Sequence, residues 1–450
     1  MQQPNVICLA IDRLQAGYLG AYGNTWTSTP ALDRLAAQSF VFHRAIIDSP
    51  DLEILYRSLW LGSHAVCPAA LAQQQESLPA IFSRSGWHTA LLTDERLVAN
   101  HPLADAFLQR VLVDTRHVEL DAPEADALKS AQQIEETQAA KYFAAAEQYI
   151  ETAGSPFFLW LHTATLGRIW DAPLEFRRQF ADEDDPTPSD SADVPERILP
   201  EGFDPDELLT YTHAYAGQLS LIDELIDSLL KTIDGGTSRD NTWLFLFSTR
   251  GLPLGEHRRV GPNEEELYAE LVHVPLMIRC PTGGAIFGRS QRLVQPADWS
   301  ATILDSCGLN RVWNSVEKSG LSLERLIPVG RGHSFLPLVR DEQVVGFDRA
   351  CSIALDQRLF TTPAWSLRLS NHHVDLREDD TARHSAGNHL ERAELFVKPD
   401  DWFEVNDVSD RCPDVVEKMR AAAIDFTQAC ITGQQSVLAK LPDELFFSLD

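Results

Sequence analysis

The stretch LAIDRLQAGYLGAYGNTWTSTPALDRLAAQSFVFHRAI, residues 9–46, carries the strongest indication of the fold. It starts inside the apolar run NVICLAI (5–11), which is followed directly by Asp12. A short run that is apolar at every position is typical of a strand buried on both faces of a parallel sheet. The segment TPALDRLAAQSF (29–40) then has the period of an amphipathic helix. A buried strand followed by such a helix predicts an α/β unit.

The same alternation continues along the chain. Further apolar runs predict strands at HTALLT (88–93), FFLWLHT (157–163), TWLFLFST (242–249) and VPLMIR (274–279). Helical patterns lie between or after them, at residues 131–151, 210–233 and 297–309. Strands separated by helices predict an α/β fold with a large, mostly parallel sheet that is sandwiched by helices.

The domain organisation follows from changes in composition. The segment from about 182 to 206 opens with an acidic stretch rich in Pro and Ser, which predicts a surface insertion in the main domain. After residue 342 the pattern changes to short strand-like pieces (CSIAL, WSLRL, AELFV) followed by a helical segment at 413–430. We therefore expect an N-terminal α/β domain over 1–345 and a smaller C-terminal α+β domain over 346–450.

Composition excludes some partners. The net charge of −28 would repel nucleic acid and anionic lipid, so neither is expected as a partner. The start MQQPNVICLAID lacks the features of a secretory signal, and no apolar run approaches the ~20 residues of a membrane span. These features predict a cytoplasmic protein. The seven cysteines are scattered, without a CxxC pair, which favours free thiols over a disulfide framework or a zinc site.

Candidate functional residues lie where the predicted strands end, because ligand groups in open α/β sheets collect beyond the carboxyl ends of the strands. These residues are Asp12, Asp94, His162, Thr249 and Arg250. Asp12 is the strongest candidate, a carboxylate directly after a buried strand. The alternative is an Asp that caps a turn or pairs with its neighbour Arg13.

In order along the chain, these pieces resemble the sulfatases of the alkaline phosphatase superfamily. The opening stretch resembles that family's strand, Asp, Tyr-Gly turn, Thr-Pro pair and LDRLA helix. The likeness continues through SPFFLWLHT (155–163), YAGQLSLIDELIDSLL (215–230), FSTRGLPLGEH (247–257), YAELVHVPLMIRCP (268–281), ADWSATILDSCGL (297–309) and PDDWFEVNDVSDRCPDVVEKM (399–419). The resemblance implies an alkaline phosphatase/sulfatase-like fold over nearly the whole chain.

The resemblance also implies a chemistry. In that family a Cys- or Ser-x-Pro-x-Arg turn supplies an oxygen nucleophile, oxidised to formylglycine and hydrated. A divalent cation held by carboxylates and an amide or imidazole lowers the pKa of the attacking oxygen and neutralises the sulfate. The Arg of the turn steadies the nucleophile, while Lys and His residues bind the sulfate and protonate the leaving group.

This chain departs from that pattern at the nucleophile. When the end of DSPDLEILYRSLWLG (48–62) is aligned with the helix that follows the turn, Leu52 occupies the nucleophile position. Ile54 then stands at the Pro and Tyr56 at the Arg. Slipping the alignment by one residue brings Glu53 or Asp51 to the nucleophile position. Leucine can neither attack nor be oxidised, so no catalytic nucleophile is expected.

The implied cation and sulfate sites depart as well. Asp12 matches a metal ligand, but Arg13 follows it, and Thr249-Arg250 replaces the family's Asp-His or Asp-Asn pair. A guanidinium cannot coordinate a cation. We therefore expect no bound metal and no cofactor, with Asp12 the one retained ligand-type residue. The predicted pocket consists of Asp12, Arg13, Leu52, Tyr56, Asp94, Arg96, His162, Thr249, Arg250 and His257.

Two arrangements of the arginines are open. Arg250 is predicted to occupy the cation position as a fixed positive charge paired with Asp12, because a guanidinium can satisfy a buried carboxylate with two parallel hydrogen bonds. In the alternative, Arg13 and Arg250 both turn to solvent and the pocket is collapsed.

Three functional hypotheses remain. The first is a catalytically inactive sulfatase homologue that keeps the fold for assembly or for binding an anionic or sulfated ligand. The second is a divergent sulfuric- or phosphoric-ester hydrolase with a metal-poor site, using His162 and His257, and binding calcium or magnesium only in that case. The third is a structural partner protein whose tryptophans cover an interface, namely Trp299, Trp313, Trp365 and Trp402.

Overall fold

A computed structural model describes residues 3–73, 75–115, 128–235, 239–281, 287–309, 330–340, 347–370, 392–432 and 438–446. The strands are β1 (Asn5–Ile11), β2 (Phe40–Ile46), β3 (His88–Thr93), β4 (Gln109–Leu112), β5 (Phe157–Thr163), β6 (Arg197–Ile198), β7 (Thr242–Phe247), β8 (Arg259–Val260), β9 (His273–Arg279), β10 (Gly288–Val294), β11 (Ala350–Ala354), β12 (Gln357–Thr361), β13 (Trp365–Ser370) and β14 (Arg392–Val397).

Eight of these strands form one sheet in the order β10-β2-β9-β7-β1-β5-β3-β4. Every neighbouring pair is parallel except the two that involve β9, which runs antiparallel to both β7 and β2. The large, mostly parallel sheet predicted from the apolar runs is confirmed. β1 lies between β5 and β7, and its seven residues are all buried.

Helices cover both faces of this sheet. They are α1 (Pro30–Ala37), α2 (Leu52–Leu61), α3 (Ala69–Ala72), α4 (Leu78–Arg84), α5 (Arg96–Ala99), α6 (Gln138–Thr152), α7 (Thr165–Arg168), α8 (Leu174–Arg178), α9 (Pro205–Gly235), α10 (Ala269–Val272), α11 (Pro296–Ser306), α12 (Leu336–Val339) and α13 (Pro413–Thr432). Alternate residues of β1 enter two different cores, as the two-residue period of a strand requires. Val6, Cys8 and Ala10 pack with α2, α4 and α11, whereas Ile7, Leu9 and Ile11 pack with α1, α6 and α9.

The structure adjusts several predicted bounds. The helix expected over 131–151 begins at Gln138, because Thr137 caps it by accepting a hydrogen bond from the amide of Ala140. The strand expected to reach Thr249 ends at Phe247, and the hydroxyl of Ser248 instead accepts from the amide of Leu14. The helix expected over 210–233 begins at Pro205, inside the predicted insertion. In the rest of that insertion, β6 pairs antiparallel with β8.

A smaller layer is formed by the antiparallel sheet β11-β12-β13-β14. The helix α13 packs against it in a third hydrophobic core that includes Trp365, Met419 and Phe426. This sheet and helix give the α+β character expected for the C-terminal region. The predicted boundary at residues 345–346 lies outside the described residues.

The tryptophans considered for an interface do not form an exposed surface within the described residues. Trp299 and Trp365 are buried in hydrophobic cores, and Trp402 packs edge-on against His273, with ring centroids 4.4 Å apart. Trp313 lies outside the described residues. None of the helices in the described part of the chain combines the length and apolar character that crossing a bilayer requires.

Candidate functional site

Asp12 follows β1 at the carboxyl edge of the sheet and is 2% exposed. Its backbone amide donates to the carbonyl of Thr163 at the end of β5, at 2.9 Å. Its Oδ1 accepts hydrogen bonds from Thr249 Oγ1 at 2.6 Å and from Arg250 Nε at 3.0 Å. Its Oδ2 accepts from Arg250 Nη2 at 2.5 Å. Arg250 thus binds both carboxylate oxygens through two parallel hydrogen bonds, the strongest form of this pairing.

The geometry decides between the two arrangements considered for the arginines. Arg250 pairs with Asp12 as expected, and its side chain is 12% exposed. The side chain of Arg13 is 2% exposed, so the alternative in which both arginines turn to solvent is wrong. A buried carboxylate needs such a partner, since removing an unpaired charge from water costs several kcal/mol.

The electrostatics of the pair keep both groups ionised. Burial raises the pKa of Asp12, but the charge and hydrogen bonds of Arg250 and the charge of Arg13 outweigh burial and hold that pKa below its usual range. Burial lowers the pKa of Arg250, but the charge and hydrogen bonds of Asp12, together with the charge of Glu264, leave it above its ordinary value. The result is a buried ion pair that stays charged at neutral pH.

A second carboxylate, Glu264, completes the arrangement. Its Oε1 accepts from Arg250 Nη1 at 2.8 Å and also from Arg13 Nη2. Arg13 adopts a left-handed backbone conformation, with φ of 65°, and its Nη1 donates to the carbonyl of Gly251 at 3.2 Å. Asp12, Arg13, Arg250 and Glu264 form what we call the charge cluster, whose formal charges sum to zero.

Glu264 was missed by the sequence reasoning. It stands in the run Glu264-Glu265-Glu266, where residue type alone gives no reason to select one glutamate. The three differ in the structure, because Glu265 is exposed and Glu266 pairs with Arg259 at 3.0 Å. Only the placement of the loop identifies the glutamate that reaches the arginines.

The turn before α2 borders the charge cluster through its backbone. The carbonyl of Pro50 accepts from Arg250 Nη1 at 3.4 Å. Asp51 caps the helix, its Oδ1 accepting from the amide of Ile54 at 3.0 Å. Leu52 is the first residue of α2, is 5% exposed, and packs in the hydrophobic core. The residue aligned with the family's nucleophile is therefore an aliphatic core side chain.

Tyr56 and His162 lie next to the charge cluster, close enough to interact electrostatically with Asp12 and Arg250. Both side chains are fully buried, and their rings meet edge to face with centroids 5.6 Å apart. The hydroxyl of Tyr56 accepts from Trp160 Nε1 at 3.4 Å. His162 Nδ1 lies 2.9 Å from Thr93 Oγ1, at hydrogen-bonding distance. The tyrosine that stands at the family's Arg position therefore contributes an aromatic ring and no charge.

His162 also carries an unsatisfied group. Within the described residues its Nε2 is buried without a hydrogen-bond partner. Burial lowers the pKa of His162 to about 4, with Arg250 and Arg168 adding to the decrease and Asp12 opposing it. The imidazole is therefore neutral at physiological pH and close enough to Asp12 and Arg250 to interact with them electrostatically.

Asp94 and Arg96 have other surroundings. Asp94 accepts from the amide of Ala164 at 2.8 Å, from Thr163 Oγ1 at 3.1 Å and from Arg168 Nη2 at 2.9 Å. These contacts fix the turn between β5 and α7. Arg96 is exposed at the first residue of α5. The structure thus ties Asp94 to a neighbouring turn and leaves Arg96 in solvent.

His257 lies at the junction with the C-terminal layer. Its Nδ1 is 2.8 Å from Glu270 Oε1, and its Nε2 is 3.0 Å from the carbonyl of Glu404. Its ring stacks on Tyr268 with centroids 3.5 Å apart, and Arg368 of β13 lies over the same tyrosine at 4.2 Å. None of these contacts is with the charge cluster. His257 therefore lies outside the candidate site and stabilises the junction with the C-terminal layer.

His257 should make stability depend on pH above neutrality. Burial lowers its pKa, but the hydrogen bond and charge of Glu270, helped by Glu404, raise it to about 9. The unfolded value is about 6.5. A histidine with a raised folded pKa contributes fully below its unfolded pKa and loses that contribution as the pH rises through the folded one.

We expect His257→Gln to be less stable than the wild type by about 1 kcal/mol below pH ~6.5, a figure reduced for partial exposure. That difference should disappear as the pH passes about 9. Urea unfolding of both proteins across this range measures it. A difference in the free energy of unfolding that stays constant with pH would mean that the imidazole stabilises the protein by packing alone.

The residues at the rim do not fit a divalent cation. Both oxygens of Asp12 are taken by Thr249 and Arg250, and Arg13 adds a second positive charge. A calcium or magnesium ion needs several oxygen ligands and would be repelled by two guanidinium groups. Among the described residues, no group of three or more His, Cys, Asp or Glu side chains is arranged to hold a metal ion.

A family model described as Sulfatase matches residues 4–309. Human N-acetylglucosamine-6-sulfatase is 31% identical over 115 residues, a match that covers 26% of this chain and 20% of the human protein. The matched segment thus spans about a fifth of that relative's length, and what the human enzyme does is not carried over by the match.

Solved structures extend the likeness to the whole fold. The phosphonate monoester hydrolase of Agrobacterium radiobacter superposes with a TM-score of 0.71 at 15% identity, covering 95% of this chain and 96% of that one. A protein solved in complex with its substrate D-glucosamine-2-N,6-O-disulfate gives 0.68 at 14% identity, covering 95% and 98%. A 2-O GAG sulfatase gives 0.65 at 17% identity, covering 95% and 93%. At these identities the likeness concerns the fold alone.

Proposed function

This chain belongs to the sulfatase family, and on that premise we propose that it is a catalytically inactive member which binds an anionic ligand. The observation that carries the proposal is the bidentate pairing of Arg250 with Asp12. In the family a carboxylate at this position helps to hold the cation that activates the nucleophile and neutralises the sulfate. Here the guanidinium of Arg250 pairs with the carboxylate instead, and the site does not fit the metal ion on which the family's catalysis depends.

The nucleophile position supports the same proposal. Leu52 has no heteroatom, and its side chain is packed in the core. Two hydroxyls on the same helix are both engaged: that of Tyr56 accepts from Trp160 Nε1 at 3.4 Å, and that of Ser58 donates to the carbonyl of Ile54 at 3.3 Å. The family's ester hydrolysis needs a hydroxyl or an oxidised thiol at the reacting centre, and Leu52 has neither, while the carboxylate of Asp51 is engaged in capping α2.

The ligand class is inferred from the charges that remain. Arg13 and Arg250 present two guanidinium groups, which bind sulfate and phosphate oxygens well because their donors form a planar fork. One structural neighbour was solved with a disulfated glucosamine and another with k-i-k-neocarrahexaose. We propose a sulfate group, free or carried by a saccharide, as the ligand.

One observation favours the alternative of a divergent ester hydrolase. The Nε2 of His162 is buried, unpartnered in the described residues and close to Asp12, as a general base awaiting substrate could be. Against this role, its pKa of about 4 makes it a weak base. His257, the other histidine considered, is held by Glu270 and Glu404.

The experiment that tests the proposal combines binding, turnover and metal content. We expect sulfate or sulfated saccharides to raise the melting temperature more than chloride at equal ionic strength, because the separate oxygens of a sulfate match the planar fork of donors on each guanidinium and a single chloride does not. We expect no turnover of aryl sulfates or phosphates and no stoichiometric calcium or magnesium by elemental analysis. Turnover that disappears in Asp12→Ala would contradict inactivity and establish the hydrolase alternative.

A further inference from the structure

The two arginines of the charge cluster already have an oxyanion between them. A single oxygen of Glu264, Oε1, accepts from Arg13 Nη2 and from Arg250 Nη1. This glutamate comes from the loop that joins β8 to α10, and not from the strand ends that carry Asp12 and Arg250. A carboxylate oxygen that bridges two guanidiniums makes the contacts that a sulfate oxygen would make.

The partners of this bridge differ greatly in burial. The side chains of Arg13 and Arg250 are 2% and 12% exposed, whereas that of Glu264 is 45% exposed. The arginines are also fixed by Gly251, Pro50 and Asp12, while the hydrogen bonds found for the Glu264 carboxylate are those to the arginines. Glu264 can therefore move into water with little rearrangement, because its carboxylate is already partly hydrated, whereas the buried arginines cannot.

A separate observation indicates that this region can satisfy a further polar group. The Nε2 of His162 is buried without a partner in the described residues, next to Asp12 and Arg250. Buried polar atoms in native proteins are nearly always hydrogen-bonded to protein, water or ligand. Contacts within the described residues leave this atom unsatisfied.

We propose that Glu264 is a built-in competitor for the anionic ligand, and that a sulfate or phosphate oxyanion binds by displacing it from Arg13 and Arg250. The inference rests on the proposed anion-binding function and adds a means of regulation. The apparent affinity for the anion is the intrinsic affinity multiplied by the fraction of molecules in which the carboxylate has left the arginines. Whatever holds the loop away from the arginines would therefore strengthen binding.

The test compares Glu264→Gln with the wild type and with Glu265→Gln, using inorganic sulfate as the probe. Glu265 is the adjacent exposed glutamate and serves as the matched control. The amide keeps the size of the side chain but removes the charge that competes with the anion. We expect Glu264→Gln to bind sulfate at least about tenfold more tightly than the wild type, by calorimetric titration at constant ionic strength. Glu265→Gln should match the wild type.

The outcomes separate the two proposals. Sulfate binding by the wild type that is no tighter in Glu264→Gln would overturn the competition and leave the anion-binding function standing. Absence of binding in all three proteins would overturn both. If Glu264→Gln is unstable in sulfate-free buffer, the melting temperature is titrated with sulfate instead. A steeper rise than in the wild type supports the competition, and an equal rise overturns it.

Discussion

Arg250→Ala is expected to lower the free energy of unfolding by about 3–5 kcal/mol, the range for removing one partner of a buried ion pair. Among the described residues, the substitution leaves the buried carboxylate of Asp12 with Thr249 as its one side-chain hydrogen-bond donor and with Arg13 Nε 3.9 Å away as the remaining positive charge. Urea unfolding followed by circular dichroism measures the effect. Arg96→Ala is the matched control, because Arg96 is exposed and should change stability by less than about 0.5 kcal/mol.

A double substitution shows whether the loss comes from the stranded charge. Asp12→Asn combined with Arg250→Met removes both charges and should be more stable than Arg250→Ala alone, because no buried carboxylate is left without its counter-ion. If Arg250→Ala unfolds no more easily than Arg96→Ala, Arg250 is not the counter-ion of Asp12 and the proposal of inactivity loses its main support.

The second large effect concerns the cation. The triple substitution Arg13→Asp, Thr249→Asp and Arg250→Asn would restore, beside Asp12, the ligand types that the family resemblance implies. Asp tolerates the left-handed backbone at position 13 better than most residues. We expect calcium to stabilise this variant by about 2.7 kcal/mol at a concentration about 100-fold above its Kd. Without calcium it should be less stable than the wild type, since its carboxylates repel one another.

Thermal unfolding with and without calcium checks this prediction, with the wild type as the control. The wild type should show no calcium-dependent shift, because its Asp12 is already paired. A triple variant that is indifferent to calcium would mean that positions 13, 249 and 250 do not surround a cation position, and that their alignment with the family's ligands is incorrect.

The sequence predicted the central strands of the fold well, because a strand buried on both faces is a short, continuous apolar run. The bounds of β1, β3 and β5 agree with the apolar runs at 5–11, 88–93 and 157–163. β10 was not predicted, since GRSQRLV lies at the sheet edge, where five of its seven residues are fully or partly exposed in a polar pattern without an apolar run. The antiparallel direction of β9 could not be predicted either, because an apolar run does not show whether the neighbouring strands are parallel to it.

The candidate site was predictable to the extent that it lies on strand ends. Asp12 and Arg250 could be paired from the sequence because both follow predicted strands whose carboxyl ends share one rim, and because the family resemblance aligns both positions with ligands of the cation. Glu264 could not, since its contact with Arg13 spans 251 positions in the sequence and depends on how a loop folds back. His257 was expected in the pocket from the motif Gly-Glu-His, whereas the structure ties it to Glu270 and Glu404, in contacts that no local pattern encodes.

The neutrality of the charge cluster has a consequence for the speed of ligand capture. Two guanidiniums closely matched by two carboxylates produce a field that decays over a few ångströms, so they do not attract an anion from a distance. The molecule as a whole, at −28, repels it. Diffusional encounter is then unassisted, and added salt, by screening the repulsion, accelerates it. A cationic enzyme cleft that draws in its substrate would show the opposite dependence on ionic strength.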